Sequence, residues 1–99
     1  MKIFFADSAL SDLQEIIQYY EDQLTSHVGE KFVSDIIDRI ETLLDHPDIG
    51  RVVQEFESQN IREIIHPPFR IVYLREKSKI HIARVWRSER LLVLSEDRE

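Results

Sequence analysis

Seven arginines recur at intervals between positions 51 and 90, at Arg51, Arg62, Arg70, Arg75, Arg84, Arg87 and Arg90, with Tyr73 and Trp86 among them. A guanidinium is planar and permanently charged, and its fork of donors matches the paired oxygens of a carboxylate or phosphate. Such a row suits a phosphate, a carboxylate or an acidic protein partner. The plainer reading is a solvated sheet face on which these arginines pair with Glu55, Glu57, Glu63 and Glu76. Arg70 stands apart, because it directly follows Pro67-Pro68-Phe69 and heads an apolar strand. A charge held beside a rigid turn costs less to bring into a complex than a mobile one. Trp86, in Val85-Trp86-Arg87, reads as a core or strand-edge aromatic before it reads as a platform for a base.

Other chemistries find no support. There is no Gly-rich phosphate loop and no Gly-x-Ser-x-Gly turn, and His27, His46, His66 and His81 lack the i,i+4 spacing of a helical metal pair. No metal and no cofactor is expected. The chain has no cysteine, which fits a reducing cytoplasm and excludes disulfides and thiolate metal sites.

The elements that would position the arginines follow from periodicity. Lys2 to Phe5 reads as a short strand, and Asp7 or Ser8 offers a cap to a helix over 8–25. Leu10, Leu13, Ile16, Ile17, Tyr20 and Leu24 recur at three- and four-residue steps on one face of it. After the polar break Thr25-Ser26-His27, a second stripe runs through Phe32, Val33, Ile36, Ile37, Ile40, Leu43 and Leu44 and stops at His46-Pro47. Two helices so closely joined form a hairpin whose apolar stripes need a third surface. Strands at Val52-Val53, Ile61 to Ile65, Phe69 to Leu74 and Lys79 to Val85 provide it, with a turn at Glu76-Lys77-Ser78. Ile80 and Ile82 share a face that Val85 misses, so a bulge near Ala83-Arg84 is predicted. The expected fold is α+β, a two-helix hairpin packed on a small antiparallel sheet in the order β-α-α-β-β-β, with the arginines displayed on the uncovered sheet face.

Ninety-nine residues bound one domain, taken as 1–99. No run approaches the ~18 apolar residues of a membrane helix, and the N-terminus meets Asp7 too early for a signal peptide. The chain reads as soluble and cytoplasmic, with no membrane partner. The net charge of −6 conceals an asymmetry. Residues 1–50 carry three Lys/Arg against eleven Asp/Glu, whereas from Arg51 to Leu94 nine Lys/Arg stand against five Asp/Glu. An acidic helical half and a basic sheet half therefore have separate electrostatic roles.

Four fragments in order resemble the successive signatures of RelE/ParE toxins: Pro47-Asp48-Ile49-Gly50-Arg51, Ile61-Arg62-Glu63-Ile64, Pro68-Phe69-Arg70-Ile71-Val72-Tyr73, and Ile80-His81-Ile82-Ala83-Arg84-Val85-Trp86 with a closing Arg90-Leu91. Ala9-Leu10-Ser11-Asp12-Leu13 and Ile16-Ile17-Gln18-Tyr19-Tyr20 extend the likeness into the helices, so that it spans Lys2 to about Leu92. The resemblance implies the toxin of a type II toxin–antitoxin system, bound and silenced by a cognate antitoxin, as a dimer or a heterotetramer with it. Residues assigned to target or antitoxin binding are Arg51, Arg62, Arg70, Tyr73, Arg84, Trp86, Arg87 and Arg90.

Two activities share that scaffold. RelE-like members cut messenger RNA in the ribosome, and ParE-like members block DNA gyrase without catalysis. Cleavage by a 2′-hydroxyl needs a base, an acid and a cation. Arg70, Arg84 and Arg87 could form the cationic site, and His66 and His81 are possible bases. No Tyr or His follows Arg87, which occupies a place where relatives frequently have histidine, and arginine is a poor proton shuttle. The acidic first half would also be repelled by ribosomal RNA. These points, with the long hairpin helices and Tyr19-Tyr20, favour the ParE-like reading over a ribonuclease or an inactive toxin-like binding domain.

Overall fold

In the computed structural model, which describes residues 1–56 and 58–87, β1 (Lys2–Phe5) leads into α1 (Asp7–Asp22) and α2 (Ser26–Glu41). Most stripe positions face inward, but Leu10, Leu24 and Leu44 are exposed, Leu24 because it lies in the turn after the helix and the others because they sit at the margins of the stripes. α1 buries Ala9, Leu13 and Ile16, and α2 buries Ile36 and Ile40. Gly29 lets the helices approach, since a Cβ there would stand 3.0 Å from the Cβ of Tyr20. α1 ends earlier than the predicted residue 25, because Leu24 adopts a left-handed φ of 59°. Thr25 N–H then donates to Tyr20 O at 2.8 Å and Leu24 N–H to Glu21 O at 3.0 Å, the paired bonds of a Schellman closure. The expected side-chain cap at Asp7 or Ser8 is absent. Ala6 is the N-cap, and Asp7 and Ser8 are the first helical residues. Asp7 instead places its charge where the helix dipole favours it, and the Ser8 hydroxyl donates to Ala83 O at 2.9 Å.

A single 3-10 turn, Thr42–Leu44, closes the hairpin ahead of Pro47. The chain then forms β2 (Arg51–Val52), β3 (Ile61–His66), β4 (Phe69–Arg75) and β5 (Lys79–Arg87), with another 3-10 turn at Gln54–Phe56. Sheet order is β1-β5-β4-β3-β2. β2 to β5 are antiparallel, but β1 lies parallel to β5, so the sheet is mixed where sequence predicted it antiparallel throughout. Strands joined by turns announce their pairing locally; β1 and β5 are joined only through the helices and every other strand, so nothing local records their direction.

The predicted bulge is present. Tyr73 pairs with Ile82 and Val72 with Arg84, which leaves Ala83 as the extra residue. The phase is thereby restored, and Ile80, Ile82 and Val85 all enter the core beneath the helices. Beyond β1, the edge of β5 is sealed by α1. Asp12 accepts the Val85 N–H at 2.8 Å and takes both prongs of Arg84, Nε and Nη2, at 2.8 Å each. That pair raises the Arg84 pKa above its usual value, the bond to Asp12 being the main cause.

At the other end of the core, the fully buried Tyr73 fixes the segment before β2. Its hydroxyl accepts from Gly50 N–H at 3.0 Å and donates to Pro47 O at 2.8 Å. A Cβ at Gly50 would stand 2.6 Å from that hydroxyl oxygen and 2.8 Å from Glu63 O, so only glycine fits the crossing. Burial pushes the phenol pKa up, against the opposing effect of the Gly50 bond.

Four outcomes follow. Tyr73→Phe leaves Gly50 N–H and Pro47 O without a partner and is expected to cost about 1–3 kcal/mol in a urea titration at neutral pH. The unfolded chain ionises its tyrosine first, so the phenol's contribution is full below about pH 10 and is lost as pH rises through the higher folded value. The wild type should therefore lose more stability than Tyr73→Phe on passing into that alkaline range. Asp12→Ala leaves the Val85 N–H buried and unpaired, and should cost about 2 kcal/mol, most of it from that amide because Arg84 is partly solvated. Leu24→Gly should raise the melting temperature: the left-handed leucine costs about 1–2 kcal/mol, its side chain is 92% exposed and gives little back, and the added freedom of glycine in the unfolded chain offsets only part of the gain.

Candidate functional site

Strand pairing decides which arginines share a face. Arg51, Glu63, Val72 and Arg84 lie side by side on the face turned from the helices, and Ile65, Arg70 and Trp86 form the next row. Arg70 donates to Glu63 through Nε, and its Nη2 lies 3.6 Å from Glu55. Arg51 reaches the other oxygen of Glu63 at 3.2 Å. Trp86 lies between two cations, 4.9 Å from the Arg84 guanidinium and 5.7 Å from that of Arg70. Asp12, Arg84, Trp86, Arg70, Glu63 and Arg51 thus form one continuous ladder across the sheet.

Three guanidiniums in this ladder are matched by the carboxylates of Asp12, Glu63 and Glu55. Arg70 is displayed least, with its side chain 6% exposed, and its preorganisation comes from a buried ion pair as well as the proline turn. Removing one partner of such a pair typically costs about 3–5 kcal/mol, because the other charge is left in the interior. Exposed Arg51 and half-exposed Arg84 are the guanidiniums that water and a ligand can reach.

The remaining predicted residues are not on this face. Arg62 pairs across the sheet with Tyr73, and so projects from the helix side, at an end the helices do not reach. There its Nη1 donates to Asp48 O at 3.2 Å and Gly50 O at 2.9 Å, fastening the same segment that Tyr73 holds. Arg75 joins it through Asp48 at 3.0 Å. The single row of arginines predicted from sequence is therefore two groups on opposite faces, because the register of each strand sets its side: Arg62 lies opposite the core residue Tyr73, whereas Arg51 lies opposite Glu63 and Arg70 opposite Trp86. Tyr73 lies inside the core. Arg90 lies outside the described residues.

Arg87 also comes from the helix side. It packs 5.5 Å from the Phe69 ring and 5.8 Å from the Tyr19 ring, and its Nη1 donates to the Tyr20 hydroxyl at 3.3 Å. With Asp12, Arg84 and Trp86, these residues line a cleft of about 240 Å³ between α1 and the end of β5. Tyrosine, tryptophan and arginine are the side chains that dominate protein-recognition surfaces. Sequence reasoning assigned no site role to Asp12, Tyr19 or Tyr20. Glu55 and Glu63 are among the acids expected from sequence to pair with the sheet arginines, and both do so at Arg70; the Asp12–Arg84 pairing, 72 residues apart, left no local signal.

The histidines do not enter the cleft. His81 lies 3.2 Å from Glu76 and stacks on Phe4 at 5.4 Å, and His66 faces Phe69 across the β3–β4 turn. Among the described residues no three His, Asp or Glu side chains gather as metal ligands would, and no helix is long and apolar enough to cross a membrane.

Comparison with known proteins agrees with this architecture. No curated protein sequence matches the chain. A solved structure of a chromosomal ParDE toxin–antitoxin system from P. aeruginosa superposes with a TM-score of 0.73 at 23% identity, over 88% of this chain and 95% of that one. The family model for the ParE toxin of the type II toxin-antitoxin system, parDE, matches residues 3–92. With nearly the whole chain matched, and the hairpin-on-sheet fold in place beneath it, the chain belongs to the ParE toxin family of type II toxin–antitoxin systems.

Proposed function

We propose that this chain is a cytoplasmic growth inhibitor that acts on DNA gyrase without catalysing a reaction, and that a cognate antitoxin silences it. The observation that carries the proposal is the neutralised ladder: Arg70 and Arg84, the cations a ribonuclease would turn toward a scissile phosphate, are already held by Glu63 and Asp12. A phosphorane needs positive charge that is free to meet it. Here that charge would first have to leave a carboxylate. What the ladder and cleft offer is a fixed arrangement of Trp86, Tyr19, Arg84 and Arg87, suited to docking a protein surface. Arg51 and Arg84 are the cations of the outer face that contact a partner, while Arg62, Arg70 and Tyr73 maintain the framework they stand on. Arg90 is assigned to the same partner surface from sequence.

One contact favours the ribonuclease reading as a second hypothesis. The Tyr20 hydroxyl beside Arg87 is a proton-bearing group within the cleft, supplied by α1 where sequence reasoning sought one after Arg87.

Induction of the chain should arrest growth with a DNA-damage response while a translation reporter holds, and the purified protein should inhibit gyrase supercoiling at micromolar concentration. Intact supercoiling together with cleaved messenger on translating ribosomes would transfer the assignment to the ribonuclease, with Tyr20→Phe the substitution expected to abolish cleavage. Growth unaffected by the chain alone would make it a binding domain only.

A further inference from the structure

The outer edge of β1 is a bare strand edge. Strand edges in soluble proteins are usually blunted by charge, proline or a bulge, because unpaired N–H and C=O groups recruit another strand. β1 has Lys2 alone against Ile3-Phe4-Phe5, with no proline and no bulge. Apolar side chains collect beside it. Met1, Phe4 and Leu44 are all exposed, Phe4 over 45% of its surface, and a groove of about 450 Å³ runs between β1 and α2, lined by Met1, Ile37, Ile40 and Leu44. Among the described residues nothing pairs with this edge.

We propose that the edge is a homodimer interface, in which β1 pairs antiparallel with β1 of a second copy about a two-fold axis at Phe4. Two constraints select that register. The first is hydrogen-bond direction: Lys2 and Ala6 N–H donate inward to Ser78 O at 3.3 Å and Ile82 O at 2.9 Å. By alternation, the N–H and C=O of Ile3 and Phe5 face outward. The second is side-chain phase: Ile3 and Phe5 pack toward the core, whereas Phe4 lies on the outer face over His81. A two-fold axis perpendicular to the sheet at Phe4 satisfies both. It pairs Ile3 with the partner's Phe5 and Phe5 with the partner's Ile3, all through outward-facing groups, and keeps core-side residues on the core side.

Charge fits the same arrangement. Extending the register sets Lys2 against the partner's Ala6, next to the exposed partner's Asp7, so opposite charges meet at both ends of the pairing. Phe4 meets the partner's Phe4 as a cross-strand aromatic pair, and each apolar groove gains the opposite subunit as a wall. The interface is isologous, and its closure leaves no further β1 edge for a third copy. It makes no use of the arginine ladder, so it does not depend on the gyrase assignment.

The test uses the purified chain. Sedimentation over a micromolar-to-submillimolar series should give a mass moving from one copy to two, and Phe4→Lys, which sets like charges face to face, should hold the protein at the monomer mass with an unchanged circular dichroism spectrum. The chain contains no cysteine, so Phe4→Cys introduces a single thiol. Directly opposed residues at a non-hydrogen-bonded position lie about 4.5 Å apart between Cα atoms, within the span of a disulfide. Mild oxidation should therefore link Phe4→Cys into a covalent dimer, and should not link Leu24→Cys at the far hairpin tip. A monomer at every concentration, a dimer indifferent to Phe4→Lys, or equal cross-linking at both cysteines would overturn the proposal.

Discussion

A single carboxylate holds the two layers in register. Asp12 projects from α1 at the point where β1 has ended and β5, still paired with β4 on its other side, continues without a strand on this edge. An amide left there would be buried with no acceptor, a penalty larger than the net worth of one ordinary hydrogen bond. Asp12 removes it, and with its other lone pairs grips the Arg84 fork. The helix is thereby docked against a strand edge, a place where apolar contact alone specifies little direction. Every feature of the candidate surface is referred to that contact: Arg84 is fixed, Trp86 is stacked beside it, and α1 brings Tyr19 and Tyr20 up to Arg87 to form the cleft.

The contrast between the acidic and basic halves of the chain takes on a more specific meaning in three dimensions. Much of the basic half is neutralised by its own acids, Glu55 and Glu63, and Asp12 of the acidic half crosses over to match Arg84. Neutralised arginines still recognise partners, since a guanidinium keeps its flat face and unused donors after one edge has been claimed. They lose the long-range pull of an uncompensated charge. A surface of this kind selects by shape and stacking at close range, in keeping with a toxin family defined by its pairing with an antitoxin.

What could be read from the sequence was what is recorded locally. The helices followed from the three- and four-residue steps through Leu13, Ile16, Ile36 and Ile40, and the bulge followed from the mismatch of Val85 with Ile80 and Ile82, since both are periodicities within one element. The β3, β4 and β5 meander followed because its turns lie in consecutive sequence. The parallel placement of β1, the Asp12–Arg84 pairing and the approach of Tyr20 to Arg87 were not legible, as each joins residues far apart in the chain. The arginines illustrate the difference. Their types and spacing identified them, but their faces depended on how the strands register, and Arg62 fell on the side opposite Arg70 and Arg84.

The extra residue at Ala83 sets the terms on which β5 can vary. Exchanging one side chain on that strand alters one site. Pairing Ala83 into the ladder would turn over everything downstream, carrying Val85 into water and Trp86 toward the oily interior while pulling the Arg84 fork off its carboxylate; removing Ala83 would leave Ile82, Arg84, Val85 and Trp86 on the faces they have. A family alignment that opens a one-residue gap at Ala83 would therefore describe the same surface on an unbulged strand, and Ala83 is the position of β5 where a change in length is most easily absorbed.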